Sequence, residues 1–195
     1  MKTIRYSLLA SVLFLACTLT SAAQEAESYS INKRKSTVTW IGKKATGQHE
    51  GTVAVRSGDI EMTDGKLSGG SITLNMKDIT CTDIEDKEQA TDLVKHLKAP
   101  DFFHSSEFPQ ATYVIESVRD GKKEGVVIAS GKLTIKGMTQ AIDVAIKAGI
   151  KGDQVVAVGK LFFDRTKFGV NYGSSIGNAM IADIVELNFV VVGAK

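Results

Sequence analysis

The sequence predicts a mainly β protein, one large antiparallel sheet that splits into a sandwich or closes into a barrel, with a single inserted helix. Three observations predict it. Period-two alternation of apolar and polar residues recurs in some eight or more segments. Those segments are joined mostly by short turn signals, which imply antiparallel neighbours. Only one stretch has helical spacing, whereas a parallel sheet needs repeated crossover connections. A sheet of this size tends to split or close, and the pattern alone does not choose between the two.

Polar residues 24–28 form an N-terminal segment expected to be mobile. Tyr29 and Ile31 then share one face of a short strand, and a turn follows at Lys33-Arg34-Lys35. Val38 and Trp40 alternate with Thr37, Thr39 and Ile41. Residues 46–51 (T-G-Q-H-E-G) read as a loop before Val53 and Val55 open the next strand. Turns are expected at Ser57-Gly58-Asp59 and at Asp64-Gly65, the latter a strong hairpin signal. Gly69-Gly70 marks a bulge or a close backbone approach, and Ile72, Leu74 and Met76 alternate beyond it.

Ala90, Leu93, Val94 and Leu97 then take i, i+3, i+4, i+7 spacing, an apolar stripe on a helix from about Asp86. Asp83 or Asp86 is placed to cap it. Pro100 stops it, because the residue before a proline is pushed out of the α region. Residues 99–109, A-P-D-F-F-H-S-S-E-F-P, hold both prolines and three of the eight phenylalanines. A stretch this stiff and apolar, set between two β-rich halves, reads as a plug packed against a β core.

Strands resume with Ala111, Tyr113 and Ile115, then Val127, Ala129, Leu133 and Ile135, then Ile142, Val144 and Ile146. Asp120-Gly121, Lys136-Gly137 and Lys151-Gly152-Asp153 supply the turns. Val155, Leu161 and Phe163 lie opposite Val156, Val158 and Phe162, making that strand apolar on both faces. Residues 164–180 are a long Gly- and Asn-rich connection with Arg165, Phe168 and Tyr172; Val185, Leu187, Phe189 and Val191 close the pattern.

The N-terminus reads as a targeting segment. Lys2 and Arg5 precede an uncharged apolar run over residues 6–16, and Ser21-Ala22-Ala23 offers cleavage after Ala23. The run is short for a membrane span, which needs about 20 residues, so no transmembrane anchor is expected after cleavage. The expected location is the periplasm or the medium, with lipidation at Cys17 as the alternative. Removing residues 1–23 lowers the basic count from 24 to 22, against 22 acids, so the net charge of +2 belongs to the leader. No basic stripe remains for nucleic acid. About 170 residues suit one domain. Cys81 is then the sole cysteine, a buried small hydrophobe or an exposed thiol, and no internal disulfide is available.

The one catalytic motif is Gly173-Ser174-Ser175-Ile176-Gly177, which fits G-x-S-x-G. Its flanks lack the strand–turn–helix corner, and all three histidines precede Ser175, so a Ser175 hydrolase is a remote reading. His49, His96 and His104 have no metal-ligand spacing, and phosphate-cradling glycine motifs are absent. His96 falls on the polar side of the helix. No enzyme and no cofactor are expected. What remains is an apolar surplus: Trp40, Phe102, Phe103, Phe108, Tyr113, Phe162, Phe168 and Tyr172, with Arg165 among them. These residues fill a barrel core, or they line a pocket for a long apolar molecule, as in eight-stranded barrels that hold a ligand. Arg165 would need a partner if buried; Asp164 or Asp101 supplies it structurally, and a ligand phosphate or carbonyl is the alternative.

Three blocks carry a resemblance. D-L-V-K-H-L-K-A-P-D-F-F-H-S-S-E-F-P-Q-A-T-Y at 92–113, S-G-K-L-T-I-K-G-M-T at 130–139 and F-F-D-R-T-K-F-G-V at 162–170 resemble the YceI-like family of bacterial periplasmic proteins. S-T-V-T-W lies near the domain start, and the likeness spans residues 29–193. The resemblance implies an eight-stranded antiparallel lipocalin-like β-barrel with one inserted helix. It further implies a non-enzymatic binder of polyisoprenoid, isoprenoid quinone or another long-chain lipid, a homodimer in some members, and a ligand site of diffuse apolar lining. The competing expectation is an exported protein-interaction or stress-response module whose barrel core is filled.

Overall fold

The computed structural model describes residues 25–172 and 181–195. Among them are nine strands: β1 (Glu27–Ile31), β2 (Thr37–Lys44), β3 (Gly47–Thr63), β4 (Lys66–Ile79), β5 (Gln110–Asp120), β6 (Val127–Ile135), β7 (Met138–Lys151), β8 (Gln154–Asp164) and β9 (Ile181–Ala194). A helix, α1 (Lys87–Lys98), lies between β4 and β5, and a 3-10 turn (Arg165–Phe168) follows β8. From β2 to β9 each strand pairs antiparallel with the next, and β9 returns to pair with β2. The sheet is a closed eight-stranded barrel.

The ninth strand does not widen the ring. β1 takes the same place as β2, pairing with residues 59–62 of β3 and with Gly193 and Ala194 of β9. The basic turn is therefore a break within one stave. Ser36 patches it: its hydroxyl donates to the Asn32 carbonyl at 2.8 Å and accepts from the Val192 N–H at 3.0 Å. Because β1 begins at Glu27, residues 27 and 28, expected to be mobile, are paired with β3.

Two expected breaks in β3 are absent. The loop over 46–51 shrinks to a turn at Ala45 and Thr46. Residues 47–52 pair with β2 on one side, while Thr80 and Thr82 donate to the carbonyls of Thr52 and Glu50 on the other. Their polar side chains suit a barrel rim, so composition misled where the ladder was satisfied. Ser57-Gly58-Asp59 lies inside the strand. A 17-residue strand must coil around a narrow barrel, and turn-forming residues here serve a bend. The register with β4 shifts at this point, and Gly58 (φ 152°) and Gly70 (φ 130°) let the two backbones close in. The Asp64-Gly65 hairpin turn forms as expected, with both residues at positive φ.

Asp86 caps α1, its carboxylate accepting from Glu88 and Gln89 N–H groups at 3.0 and 2.9 Å. The helix ends at Ala99, whose ψ of 163° is the extended geometry that Pro100 demands. Residues 99–109 then fold as overlapping turns: Phe103 and Ser105 donate back to the carbonyls of Leu97 and Lys98. Lys136 ties this segment down by donating to the Pro100 carbonyl at 2.9 Å. Helix and plug together cover the barrel end that also carries the β2–β3, β6–β7 and β8–β9 connections.

Inward residues alternate along every stave, as in Leu133 and Ile135, Val144 and Ile146, or Val155, Ala157, Leu161 and Phe163, all buried. Gly131 is set among them because Tyr113 needs its space. A Cβ there would stand 2.9 Å from the Tyr113 ring and overlap the Val114 carbonyl. Gly131→Ala should therefore cost about 1–3 kcal/mol, read as a lower urea midpoint with an unchanged slope.

Candidate functional site

Alternation leaves the barrel bore lined by aliphatic side chains, and they do not fill it. Two chambers are stacked along the axis. The upper one, about 140 Å³, lies beneath α1 and the plug and is lined by Trp40, Val53, Met76, Leu97, Phe102 and Phe163 among others. The lower one, about 100 Å³, is lined by Val38, Ile60, Tyr113, Val144, Leu161 and Phe189 among others. Leu74, Ala111, Leu133 and Leu187 border both. These four stand between the two chambers and form a waist. An apolar cavity of this kind stays dry and takes up hydrocarbon.

Of the residues expected at a ligand site, Trp40, Phe102, Phe103 and Arg165 border the upper chamber and Tyr113 the lower. Trp40 is fixed by its indole N–H, which donates to the Thr80 carbonyl at 2.9 Å. Four others stand elsewhere. Phe162 points outward from β8, 53% exposed, while its neighbours Leu161 and Phe163 face the bore. Phe168 is buried edge-on against Phe163 at 5.6 Å, behind the chamber wall. Phe108 packs under the β6–β7 turn near Gly137 and against the His104 ring. Tyr172 lies outside the bore against His96 and Phe102, at 4.3 and 5.8 Å between ring centroids.

Arg165 is almost wholly buried, and its partner is neither Asp164 nor Asp101. Asp164 accepts from Thr166, and Asp101 pairs with His96 at 3.4 Å. The Arg165 guanidinium instead donates to the carbonyls of Val170 (2.7 Å), Tyr172 (2.9 Å), Ile181 (2.9 Å) and Ala182 (3.0 Å), and to Asp183 (3.3 Å). That uses all five of its N–H groups. Arg165 clamps the β8–β9 connection onto β9 and keeps no donor for a ligand.

The histidines also find protein partners. His49 meets Asp83 at 2.9 Å and borders the upper chamber. His104 meets Glu107 at 3.2 Å. His96, on the polar side of the helix, joins an aromatic cluster with Phe102 and Tyr172. Cys81 is half-buried, its thiol donating to Asp83 at 3.2 Å; burial, with that bond, raises its pKa. No group of three or more His, Cys, Asp or Glu residues could hold a metal among the described residues. The Gly173–Gly177 motif with Ser175, the leader and Cys17 lie outside the described residues.

Sequence reasoning passed over the waist. Alternation assigns each of its four residues to a strand, but their meeting across the bore depends on barrel registers that no local pattern carries. It also passed over the rim lysines Lys43 and Lys44, which border the upper chamber.

Two measurements test this description. Arg165→Met strands four carbonyls without their donor, and the loss should exceed about 3 kcal/mol; Arg165→Lys, with three donors, should recover part of it in a thermal melt. The Tyr113 hydroxyl lies within reach of the Ala129 and Ile142 carbonyls, at 2.9 and 3.1 Å. Burial, with the Asp143 charge adding, pushes its pKa from 10.0 up to about 12. The unfolded chain ionises first, so this contribution to stability is full below about pH 10 and is lost as pH rises towards 12. Tyr113→Phe should lack that part of the alkaline decline.

The fold and bore have recognisable relatives. The described barrel superposes on the crystal structure of BcnA from Burkholderia cenocepacia with a TM-score of 0.68, at 23% identity, covering 83% of this chain and 98% of that one. A polyisoprenoid-binding domain from Saccharophagus degradans matches with a TM-score of 0.60 at 14% identity, covering 85% and 97%. In sequence, a UPF0312 protein of Staphylococcus aureus is 32% identical over 112 residues, 53% of this chain and 61% of that protein. A UPF0312 protein of a Shewanella strain is 31% identical over 105 residues, covering 52% and 53%. The chain thus spans little more than half the length of these relatives in the matched segments. The model of the YceI-like domain matches residues 29–193, nearly the whole described barrel. The chain belongs to the YceI-like domain family.

Proposed function

We propose that this protein is an exported, non-enzymatic carrier that encloses the chain of a long apolar molecule, a polyisoprenoid or an isoprenoid quinone before other lipids. The observation that carries the reading is the apolar bore, whose two chambers lie on either side of the Leu74–Ala111–Leu133–Leu187 waist. A narrow dry channel suits a flexible hydrocarbon far better than a compact polar metabolite. Each methylene moved from water into it gains about 0.8 kcal/mol. The likeness to the polyisoprenoid-binding domain of Saccharophagus degradans supports the isoprenoid among such chains. The leader at residues 1–23, with cleavage after Ala23, supports a periplasmic or secreted site of action; Cys17 lipidation is the alternative anchor.

Trp40, the single tryptophan, borders the upper chamber and serves as the internal probe. Organic extraction of the purified protein followed by mass spectrometry should recover a long-chain lipid. A delipidated sample should show saturable quenching of Trp40 emission by isoprenoid quinones. Ala111→Phe narrows the waist. It should weaken binding of an octaprenyl chain by about tenfold or more while sparing a short hydrocarbon such as hexane, which is small enough for one chamber. Equal effects on both chains, in a variant whose melting temperature is retained, would remove the channel reading. A bore that refuses every chain would leave the filled-core module.

A further inference from the structure

We propose that Lys43, Lys44 and His49 form a subsite for an anionic head group, so that the ligand is an amphiphile with its carboxylate or phosphate at the β2–β3 end and its tail through the waist. The inference rests on the carrier reading and narrows it: the head group is anionic, which favours a polyisoprenyl phosphate or a fatty acid over a neutral quinone, and it sets the direction of entry.

Charge is distributed unevenly along the bore. Among the residues bordering the upper chamber are Lys43, Lys44, His49 and Arg165, and no acid. Arg165 is consumed by backbone carbonyls and Asp183, which leaves the two lysines. In the lower chamber the sign reverses: its one charged lining residue is Asp59, which accepts from the Ser71 hydroxyl at 2.6 Å. An anion is favoured at one end of the channel and repelled at the other.

Two consecutive residues of a strand normally face opposite sides. Here both Lys43 and Lys44 border the chamber, where the ladder to β9 is irregular. Gly42 pairs with Val185 but Lys44 pairs with Ile181, so β9 carries extra residues opposite this point. A bulge of this kind disrupts the regular ladder at the chamber mouth; Lys44 turns to His49 there, while Lys43 also lies close enough to Glu186 for its charge to act on that carboxyl.

Lys44 is also held in place. Its ammonium lies 3.1 Å from His49 Nε2, and His49 Nδ1 lies 2.9 Å from Asp83 Oδ2. Burial works to raise the Asp83 pKa, but the Glu50 N–H, His49 and the Cys81 thiol outweigh it and hold the carboxyl at about 2. Asp83 is therefore ionised and accepts a hydrogen bond from His49 Nδ1–H. That fixes the tautomer in which Nε2 accepts from Lys44. Lys44 gives one N–H to His49 and retains two for a ligand. Neither Lys43 nor Lys44 is ion-paired with an acid among the described residues, in contrast to Lys95, Lys132, Lys160 and Lys195. Glu186, whose carboxyl feels the Lys43 charge, is engaged by Lys160 at 2.8 Å. A Lys44 ammonium held by His49 and not paired with an acid, with Lys43 beside it at the mouth of an apolar chamber, fits an anionic amphiphile.

The test uses delipidated mature protein and Trp40 emission, with each acid paired to its neutral counterpart: palmitic acid with methyl palmitate, and geranylgeranyl phosphate with geranylgeraniol. Each anion should bind about tenfold or more tightly than its neutral partner, and the preference should shrink as salt is raised. Lys44→Met should bring the anion down to the level of its neutral partner, and Lys44→Arg should keep the preference. Inorganic phosphate alone should not compete at millimolar concentration. Equal affinity for anion and neutral partner overturns the subsite and leaves the carrier reading standing. So does a preference that persists in Lys44→Met, or full competition by inorganic phosphate. Failure of every chain to bind overturns both.

Discussion

Closure of the sheet by β9 is the constraint on which the rest depends. β9 pairs with β8 on one side and with β2, then β1, on the other. Every strand of the ring has a partner on both sides, although β4 and β5 pair only over Ser71–Asn75 and Gln110–Val114, and such closure limits the usual edge hazard of a large antiparallel sheet. Closing eight strands also fixes the diameter. A ring of this size is just wide enough for its own side chains or for one slender ligand. Which of the two results depends on what the inward positions carry.

Small inward residues tip that balance at particular points. Ala111, Ala129 and Ala157 face inward, and Gly131 yields its place to Tyr113. Larger residues at these positions would interdigitate to native density and close the bore. Branched aliphatics around them keep the wall apolar, so the residual space is one that water gains little by entering. The upper end is built differently, from polar ties around an apolar face. Lys136 holds the plug, Arg165 holds the β8–β9 connection, and Asp86 holds the start of α1. Each tie satisfies backbone groups that irregular segments would otherwise leave unpaired.

Most strands were legible in the sequence because alternation reports which face is buried, and that is a local property. Tyr113, Leu133, Val144 and Leu187 all follow it. The helix was legible down to its cap at Asp86 and its stop at Pro100. Residues 46–51 and 57–59 misled for one reason: turn-type composition is shared by true reversals, rim strands and bends, and the ladder partner decides among them. Arg165 misled for another. Its nearest acid in sequence was the natural partner to expect, yet the five acceptors come from residues 170–183, brought together only by the return of β9. The waist and the lysine rim depend on registers across the ring, so no window of sequence contains them.

The plug shows how one aromatic stretch divides its labour. Phe102 and Phe103 border the upper chamber, while Phe108 is spent under the β6–β7 turn and Phe168, from the facing connection, behind Phe163. Filling a core and lining a site are therefore not rival fates of the same rings. The rings that fill hold the end of the barrel rigid, and that rigidity lets Phe102 and Phe103 stand beside an unfilled space without collapsing into it. A preorganised wall of this kind is spared the cost of ordering when a chain enters. The apolar surplus of residues 99–109 is then the structural condition for the bore above the waist, and the lysine rim gives that bore a direction.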